Sequence, residues 1–246
     1  MTDTSIYQCT RIVKTFRENY RSKVMELDSK IQAEPGQFLM IWIPGLGEKP
    51  YSIMQADPLT LLVVEVGPFS RGMNQLQAGE RIWMRGPLGK GFSIEGNRML
   101  LVGGGYGAAP LYFLVKQVLA QQCGLEICLG AKVQADLVLM DQFSNLRIPI
   151  FAATEDGSFG DKGFVTGTVE ERIKAHKPDC IYACGPNAML EAMEKTASLH
   201  RIPCQLSREA QMRCGIGLCG SCEHEQSGRK TGWLTCMDGP VQKLQY

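Results

Sequence analysis

A prevailing charge of either sign is missing from this 246-residue sequence, in which 26 Lys and Arg meet 25 Asp and Glu for a formal net charge of +1. Nothing in that balance favours nucleic acid or an acidic membrane surface as a partner. Long apolar runs are missing too, none approaching the roughly 20 residues a membrane helix needs. Met1 to Tyr20 is polar and charged throughout, with neither the apolar centre of a signal peptide nor the Arg/Ser bias of a transit peptide. A reducing, cytoplasmic setting is therefore the expectation. Internal repeats and low-complexity tracts are also lacking. Histidine is scarce at three residues, and His224 is the only one beside a cysteine cluster. A Rieske centre, which needs two histidine ligands, is thereby excluded.

Cysteine, by contrast, is plentiful. Six of the ten (Cys9, Cys123, Cys128, Cys180, Cys184, Cys204) are scattered and only the last four cluster, which in a large cytosolic chain points to metal or redox work rather than a disulfide framework. The length admits one large domain or two ordinary ones besides that cluster.

Residues 1–96 read as short β-type runs, among them Phe38 to Ile43, Leu61 to Val66 and Arg81 to Met84, cut by Pro-Gly, Ala-Gly and Gly-Pro pairs. That pattern predicts a small antiparallel β-barrel or sandwich. Over residues 97–206 the rhythm becomes strand and helix in alternation. Strands are expected at Met99 to Val102, Leu125 to Leu129, Ile148 to Ala153 and Cys180 to Ala183, and helices at Ala108 to Gln121, Val165 to Ala175 and Asn187 to Leu199. This predicts an α/β domain with a parallel sheet covered on both faces. Residues 207–246, dense in glycine and cysteine, form an irregular third segment.

Cys214, Cys219, Cys222 and Cys236 follow the C-x4-C-x2-C…C order of plant-type 2Fe-2S sites. Gly215, Gly217 and Gly220 permit the tight wrapping such a cluster demands, and backbone N–H groups there can bond its sulfurs. A zinc site is the competing reading, but zinc modules usually pair two short Cys knuckles and this segment has one.

A second pattern, Gly103-Gly104-Gly105-Tyr106-Gly107-Ala108, lies between an expected strand and helix. Glycines there let the backbone approach a pyrophosphate at a helix N-terminus, although alone the motif describes a packing turn equally well. Cys184-Gly185-Pro186 repeats the placement at another strand end. With a nicotinamide cofactor bound, Glu155 and Asp156 are candidates for the ribose hydroxyls and would oppose a 2′-phosphate, favouring NADH; solvated turn acids are the alternative. In the first domain, Lys49-Pro50-Tyr51-Ser52 sets an aromatic and a hydroxyl beside a cation, a combination that can stack on a flavin, bond its edge and meet a phosphate. The same residues at a strand start are also ordinary surface residues.

The order of these pieces resembles the ferredoxin reductase superfamily, and within it the electron-transfer subunit of dihydroorotate dehydrogenase B. The resemblance spans nearly the whole chain. It is carried by Cys214 to Cys222, Thr235 to Val241, Thr154 to Ser158 with Lys162 to Thr166, and Gly86 to Phe92. It implies FAD on the barrel, NAD on the α/β domain and a 2Fe-2S cluster on the four cysteines. The family's Arg-Pro-x-Ser flavin motif falls on Lys49 to Ser52 with lysine for arginine, a point charge without the bidentate fork. Its Leu-Tyr-Arg segment falls on Leu62-Val63-Val64 and its Gly-Thr on Phe69-Ser70. In the family, a separate FMN-containing dihydroorotate dehydrogenase catalytic subunit oxidises dihydroorotate, electrons pass through cluster and FAD to NAD+, and the complex is a heterotetramer with two of each subunit. No base for the dihydroorotate chemistry is evident in this chain, so no catalytic residue is assigned. Two other readings share the sequence: a relay subunit of a sulfhydrogenase, sulfite reductase or transhydrogenase complex, and a zinc-stabilised binding protein without enzymatic activity.

Overall fold

The computed structural model describes residues 6–224 and 232–246, and the chain divides into two units, each formed from separated stretches of sequence. The first unit takes the chain up to Gly91 together with Ala210–Pro240. Its strands β1 (Gln8–Arg17), β2 (Ser22–Leu27), β3 (Phe38–Ile43), β4 (Gly47–Ala56), β5 (Leu59–Val64) and β6 (Arg81–Leu88) close into an antiparallel barrel in the order β1-β2-β5-β4-β3-β6. Closure explains the composition of β3, Phe-Leu-Met-Ile-Trp-Ile, which pairs on both edges and buries five of its six residues. Ile12, Met25, Leu39, Ile41, Ile53, Leu59 and Leu61 are fully buried within this unit.

Helix α1 (Pro68–Gln75), absent from the sequence-based expectation, follows β5. Pro68 opens it, and the Ser70 hydroxyl accepts the Val66 and Gly67 N–H groups at 2.8 and 3.0 Å, so local capping starts a helix that apolar spacing does not announce.

The second unit takes Phe92–Glu209 and Val241–Tyr246. Its strands are β7 (Arg98–Gly104), β8 (Gly124–Ala131), β9 (Ile150–Thr154), β10 (Asp161–Lys162), β11 (Cys180–Cys184) and β12 (Cys204–Ser207). They are joined by α2 (Ala108–Ala120), α3 (Met140–Asn145), α4 (Val165–Ala175) and α5 (Asn187–His200). The expected strands and helices are present, with β10, β12 and the short α3 in addition. The core is dominated by Val102, Ile127, Ile181, Ala183 and Leu206, buried on strands that read as nearly continuous apolar runs because helices cover the sheet. Between β12 and the end of the chain, β13 (Glu223–His224) and β14 (Trp233–Leu234) form a small hairpin that belongs to the first unit. The chain then returns as β15 (Val241–Leu244). The full sheet order is β10-β9-β8-β7-β11-β12-β15. The sheet is parallel except for β15, which runs antiparallel to β12 at the edge. The parallel sheet that the alternation predicts is present, with one antiparallel strand added at its edge, since β15 arrives from the cysteine segment rather than through a crossover helix. Among the described residues no helix is long and apolar enough to cross a membrane.

Candidate functional site

The cysteine segment is shaped by its glycines: Gly215, Gly217 and Gly220 all take positive φ, at 68°, 74° and 68°. At Gly215 the requirement is doubled, because a Cβ there would stand 2.9 Å from Cγ of Met40. The loop is therefore pressed onto β3, and Met212, Cys222 and Cys236 share one apolar cluster with Phe38, Met40 and Leu88 of the barrel. The amide of Gly217 donates to Sγ of Cys236 at 3.2 Å and that of Leu218 to Sγ of Cys214 at 3.3 Å. From the other side, the Thr235 amide and hydroxyl both donate to the Cys222 carbonyl, at 3.1 and 3.0 Å. A turn in which Leu234 accepts from Met237 and Asp238 holds Cys236 inward.

Cys219 interacts with Cys214, and Cys236 interacts with Cys222 and also with Cys214. Among the described residues, no three His, Cys, Asp or Glu side chains converge as a single-ion site. Hydrogen bonds from the Ser221 hydroxyl and backbone, then from Cys214, hold the Cys219 thiol down at about 6, while burial pushes Cys236 up to about 12. Cys219 is exposed, Cys214 is half-buried, and Cys222 and Cys236 are buried. Thiols that already accept backbone N–H groups, on a loop whose left-handed turns favour glycine, fit a group that binds through thiolate sulfur. His224 tilts against the Trp233 ring at 6.0 Å, a packing position.

In the barrel, β4 and β5 pair only through Ile53–Ala56 and Leu59–Leu61. Beyond that point they part. Lys49, Pro50, Tyr51 and Ser52 pair with β3 on one edge, and Leu62, Val63 and Val64 pair with β2, so the facing edges of the two segments carry no ladder bonds to each other. Helix α1 packs by the same two strands. The Phe69 ring stands 6.2 Å from that of Tyr51. Lys49 is exposed, Pro50, Tyr51 and Ser52 are half-buried, and burial raises the Tyr51 phenol well above its ordinary value. Side chains of Leu62, Val63 and Val64 are buried in the core, and the Ser70 hydroxyl is occupied by its own helix start. What this seam offers a flavin is consequently an aromatic ring, a hydroxyl and open backbone edges, and the loss of Tyr and Arg at Val63 and Val64 does not close it.

In the second unit the two glycine turns meet. Gly103 and Cys184 are register partners across β7 and β11. A Cβ on Gly107 would lie 2.1 Å from the Cys184 carbonyl oxygen, and one on Gly104 2.8 Å from Cδ of Pro186. Gly104 and Gly185 are likewise packed together, and Gly105 takes φ +52° where the turn leaves β7. Both turns sit at the carboxyl ends of parallel strands, where open α/β sheets take up ligands. Burial pushes the Cys184 thiol up to about 12, which suits a packing neighbour and not a nucleophile. Glu155 and Asp156 follow β9, two strands from β7, and bond to the turn after β8 through Ala131 and Lys132. Oδ1 of Asp156 accepts both the amide and the hydroxyl of Ser158, at 3.0 and 2.7 Å, which lowers its carboxyl. Asp156 thus shapes its own turn, and Glu155 is the exposed acid without that commitment.

Residues that motif reasoning passed over also stand here. The Tyr106 hydroxyl donates to Glu209 at 3.0 Å, and Ser207 is within hydrogen-bond reach of the Cys184 thiol. In the first unit, Arg85 is bonded to Glu48 and to the Cys214 carbonyl. By alternation Arg85 falls with Arg81 and Trp83 on the face of β6 opposite Ile82 and Met84, so the strand's pattern gives no signal of its burial.

Residues 101–195 match the family described as Oxidoreductase NAD-binding domain, and residues 209–245 match the Iron-sulfur cluster binding domain of dihydroorotate dehydrogenase B. A protein of Methanocaldococcus jannaschii called probable dihydroorotate dehydrogenase B (NAD(+)), electron transfer subunit, is 38% identical over 240 residues, covering 96% of this chain and 90% of its own. The dihydroorotate dehydrogenase B (NAD(+)) electron transfer subunit of Caldanaerobacter subterraneus is 40% identical over 215 residues, 84% of each chain. Among solved structures, a chain of an NADH-dependent reduced ferredoxin-NADP oxidoreductase superposes with a TM-score of 0.84 at 28% identity, covering 95% of this chain and 87% of that one. A ferredoxin NADP+ reductase of Neisseria gonorrhoeae with bound FAD and NADP shares the fold at TM-score 0.67 and 16% identity, over 79% and 91% of the two chains. With its barrel, its nucleotide-type sheet and its iron-sulfur segment in this order, the chain belongs to the dihydroorotate dehydrogenase B electron-transfer subunit family, of ferredoxin reductase-like fold.

Proposed function

We propose that this chain carries electrons between an FMN-containing dihydroorotate dehydrogenase catalytic subunit and NAD+, in pyrimidine biosynthesis, within a heterotetramer of two copies of each. The observation that carries the reading is the wrapping of the cysteine loop, whose Gly217 and Leu218 amides donate to Sγ of Cys236 and of Cys214. Amides directed at sulfur, together with the C-x4-C-x2-C…C spacing, suit a 2Fe-2S cluster held by four thiolates better than a zinc site built from two short knuckles. Cys214, Cys219, Cys222 and Cys236 would hold it. The flavin, FAD, would lie along the seam between β4 and β5, with Tyr51 and Phe69 against its ring, Ser52 at its polar edge, Lys49 toward its phosphates, and the backbone of Pro50, Leu62, Val63, Val64 and Ser70 around it. NAD would take Gly103, Gly104, Gly105 and Gly107 at its pyrophosphate, Cys184, Gly185 and Pro186 near its nicotinamide, and Glu155 at a ribose, with Asp156 shaping the turn. Bound together, a flavin and an iron-sulfur cluster supply the conversion between two-electron hydride chemistry and single-electron transfer.

The chain's own residues arrange this chemistry. Backbone amides of Gly217 and Leu218 support charge on sulfur, and Phe38, Met40 and Leu88 exclude water from Cys222 and Cys236. Cys219 is exposed beside Leu218, itself 82% exposed, which gives a partner an apolar approach to that thiol. The match to a ferredoxin-NADP oxidoreductase chain supports a second reading, a relay in a transhydrogenase complex, with the same cofactors and another partner.

Anaerobic purification tests both. Flavin bands and a broad iron-sulfur envelope, bleached by NADH, together with a co-purifying FMN protein that oxidises dihydroorotate, are expected; a colourless zinc protein ends the proposal, and a different partner selects the second reading. Cys219→Ser is expected to abolish electron delivery to the partner while NADH still reduces the flavin. Loss of both activities together would instead make the segment a folding element.

A further inference from the structure

A carboxylate and a guanidinium are buried together in the first unit, outside every motif. Arg85 of β6 is only 7% exposed and Glu48 of β4 18%. Nε and Nη2 of Arg85 donate to the two oxygens of Glu48 at 2.7 and 3.0 Å, a bidentate fork. The Tyr7 hydroxyl donates to the same carboxylate at 2.8 Å, and the Arg85 guanidinium lies 5.7 Å from the Tyr7 ring centre. Tyr7, Trp42 and Trp83 form a continuous aromatic row, at 5.5 and 5.4 Å between neighbouring ring centres.

Stability of the barrel alone is a weak reason for such a pair, since two desolvated charges rarely outperform apolar packing. The fork also has a further use. Nη2 of Arg85 donates to the carbonyl of Cys214 at 2.6 Å, the shortest of the contacts the guanidinium makes here. That carbonyl opens the tight loop whose amides, at Gly217 and Leu218, reach the sulfurs of Cys236 and Cys214. Met40, the register partner of Arg85 on β3, is the residue that meets Gly215. Glu48 immediately precedes Lys49 on the strand carrying the flavin motif. A single guanidinium thus bridges the first thiol-bearing residue of the cysteine loop and the strand assigned to the flavin.

We propose that Arg85, clamped by Glu48, is a positioning residue for the cysteine loop: it fixes the Cys214 carbonyl, and with it the orientation of the following amides toward the thiols, against the flavin strand. The proposal rests on the assignment of the cluster to these cysteines. Only arginine fits the role. Its planar fork reaches carboxylate and carbonyl from one side chain, whereas lysine places three donors on one point and cannot span both.

The test compares full-length Arg85→Gln, Arg85→Lys and Glu48→Gln with the wild type, all matched for iron content. Three signals are read: the electron paramagnetic resonance spectrum of the reduced protein, the cluster midpoint potential, and hydrogen exchange of residues 214–219 in apo and loaded protein. Arg85→Gln is expected to broaden the spectrum, shift the potential and speed exchange of the loop at least tenfold, with Glu48→Gln moving all three in the same direction and Arg85→Lys giving intermediate shifts. Wild-type spectrum, potential and exchange in both Arg85 variants overturn the proposal, as does a shift in Glu48→Gln that Arg85→Gln lacks. Should Arg85→Gln fail to fold, Arg85→Lys decides by the same signals. A wild-type chain that takes up iron and sulfide yet gives no reduced-cluster signal ends the cluster assignment instead; loop exchange in the apo variants then still decides whether Arg85 orders the loop.

Discussion

Replacing Gly107 by alanine tests the nucleotide role proposed for the glycine turn. Gly107 has φ −60° and ψ −11°, ordinary helical geometry that alanine adopts without strain, so the substitution adds one methyl and nothing else. That methyl would stand 2.1 Å from the Cys184 carbonyl oxygen, 2.4 Å from its carbon and 2.8 Å from the Gly185 nitrogen. All three are backbone atoms, and no side-chain rotation relieves them. Restoring an ordinary carbon to oxygen contact requires the two turns to part by about 1 Å, with an overpacking cost of ~1–3 kcal/mol. A pyrophosphate bound by the amides of this turn loses its hydrogen-bond geometry over such a distance, and a loss of ~1.4–2.7 kcal/mol lowers NAD affinity about 10- to 100-fold. Calorimetric titration of the flavin- and cluster-loaded protein with NAD+ reads the affinity, and urea unfolding reads the stability. Gly124→Ala is the control: its methyl would touch only the Asn97 carbonyl oxygen at 3.5 Å, at the opposite end of the parallel strands, and leaves the affinity in place. A destabilised Gly107→Ala protein whose NAD affinity stays within twofold of wild type would refute the placement of the pyrophosphate at this turn.

Tyr182→Phe removes a fully buried hydroxyl that accepts the Glu95 amide at 2.8 Å and donates to the Ser93 carbonyl at 3.0 Å; urea unfolding should show ~1–3 kcal/mol of lost stability in the sheet unit. Thr235→Val deletes one of two donors to the Cys222 carbonyl at a fully buried position, and iron should leave the protein faster under chelator challenge. Burial raises the Glu209 carboxyl, partly opposed by the Tyr106 hydroxyl, so its contribution to stability is intact below the ordinary carboxylate range and is lost as pH rises through the raised value. Glu209→Gln should accordingly melt higher than wild type at pH 8, and the two melting curves should coincide at pH 4.

Much of the α/β unit is legible because its signals are local. The strand around Leu125 to Leu129 and the helix Val165–Ala175 follow from apolar spacing alone, and the turn glycines announce themselves as strand ends. The cysteine loop is legible for a similar reason, since ligand spacing and left-handed glycines are written within a few residues. Contacts set by tertiary closure are not. Nothing near Arg85 states that its partners are Glu48 and the carbonyl of Cys214, far apart in sequence, and nothing in Val241–Leu244 states that it will pair antiparallel with β12. The seam between β4 and β5 that we propose for the flavin is hidden for a subtler reason. Motif comparison counts side chains, and at Leu62, Val63 and Val64 the side chains are buried while the edge turned to β4 is main chain.

The pairing of Ser207 with Val241 makes the cysteine segment a detour with both feet on one sheet. Its two ends are held side by side by β12 and β15 whatever happens between them, so the chain there is a closed loop and not a tail. Loop closure entropy grows only with the logarithm of length. As far as closure is concerned, a detour of this kind can therefore lengthen or shorten at small thermodynamic penalty, provided that the two feet remain in register and the contacts of Met212, Cys222 and Cys236 with the barrel are kept. Cutting the chain after Glu209, in contrast, would remove β15 as well and bare the edge of β12, so the redox segment is easier to shorten than to delete.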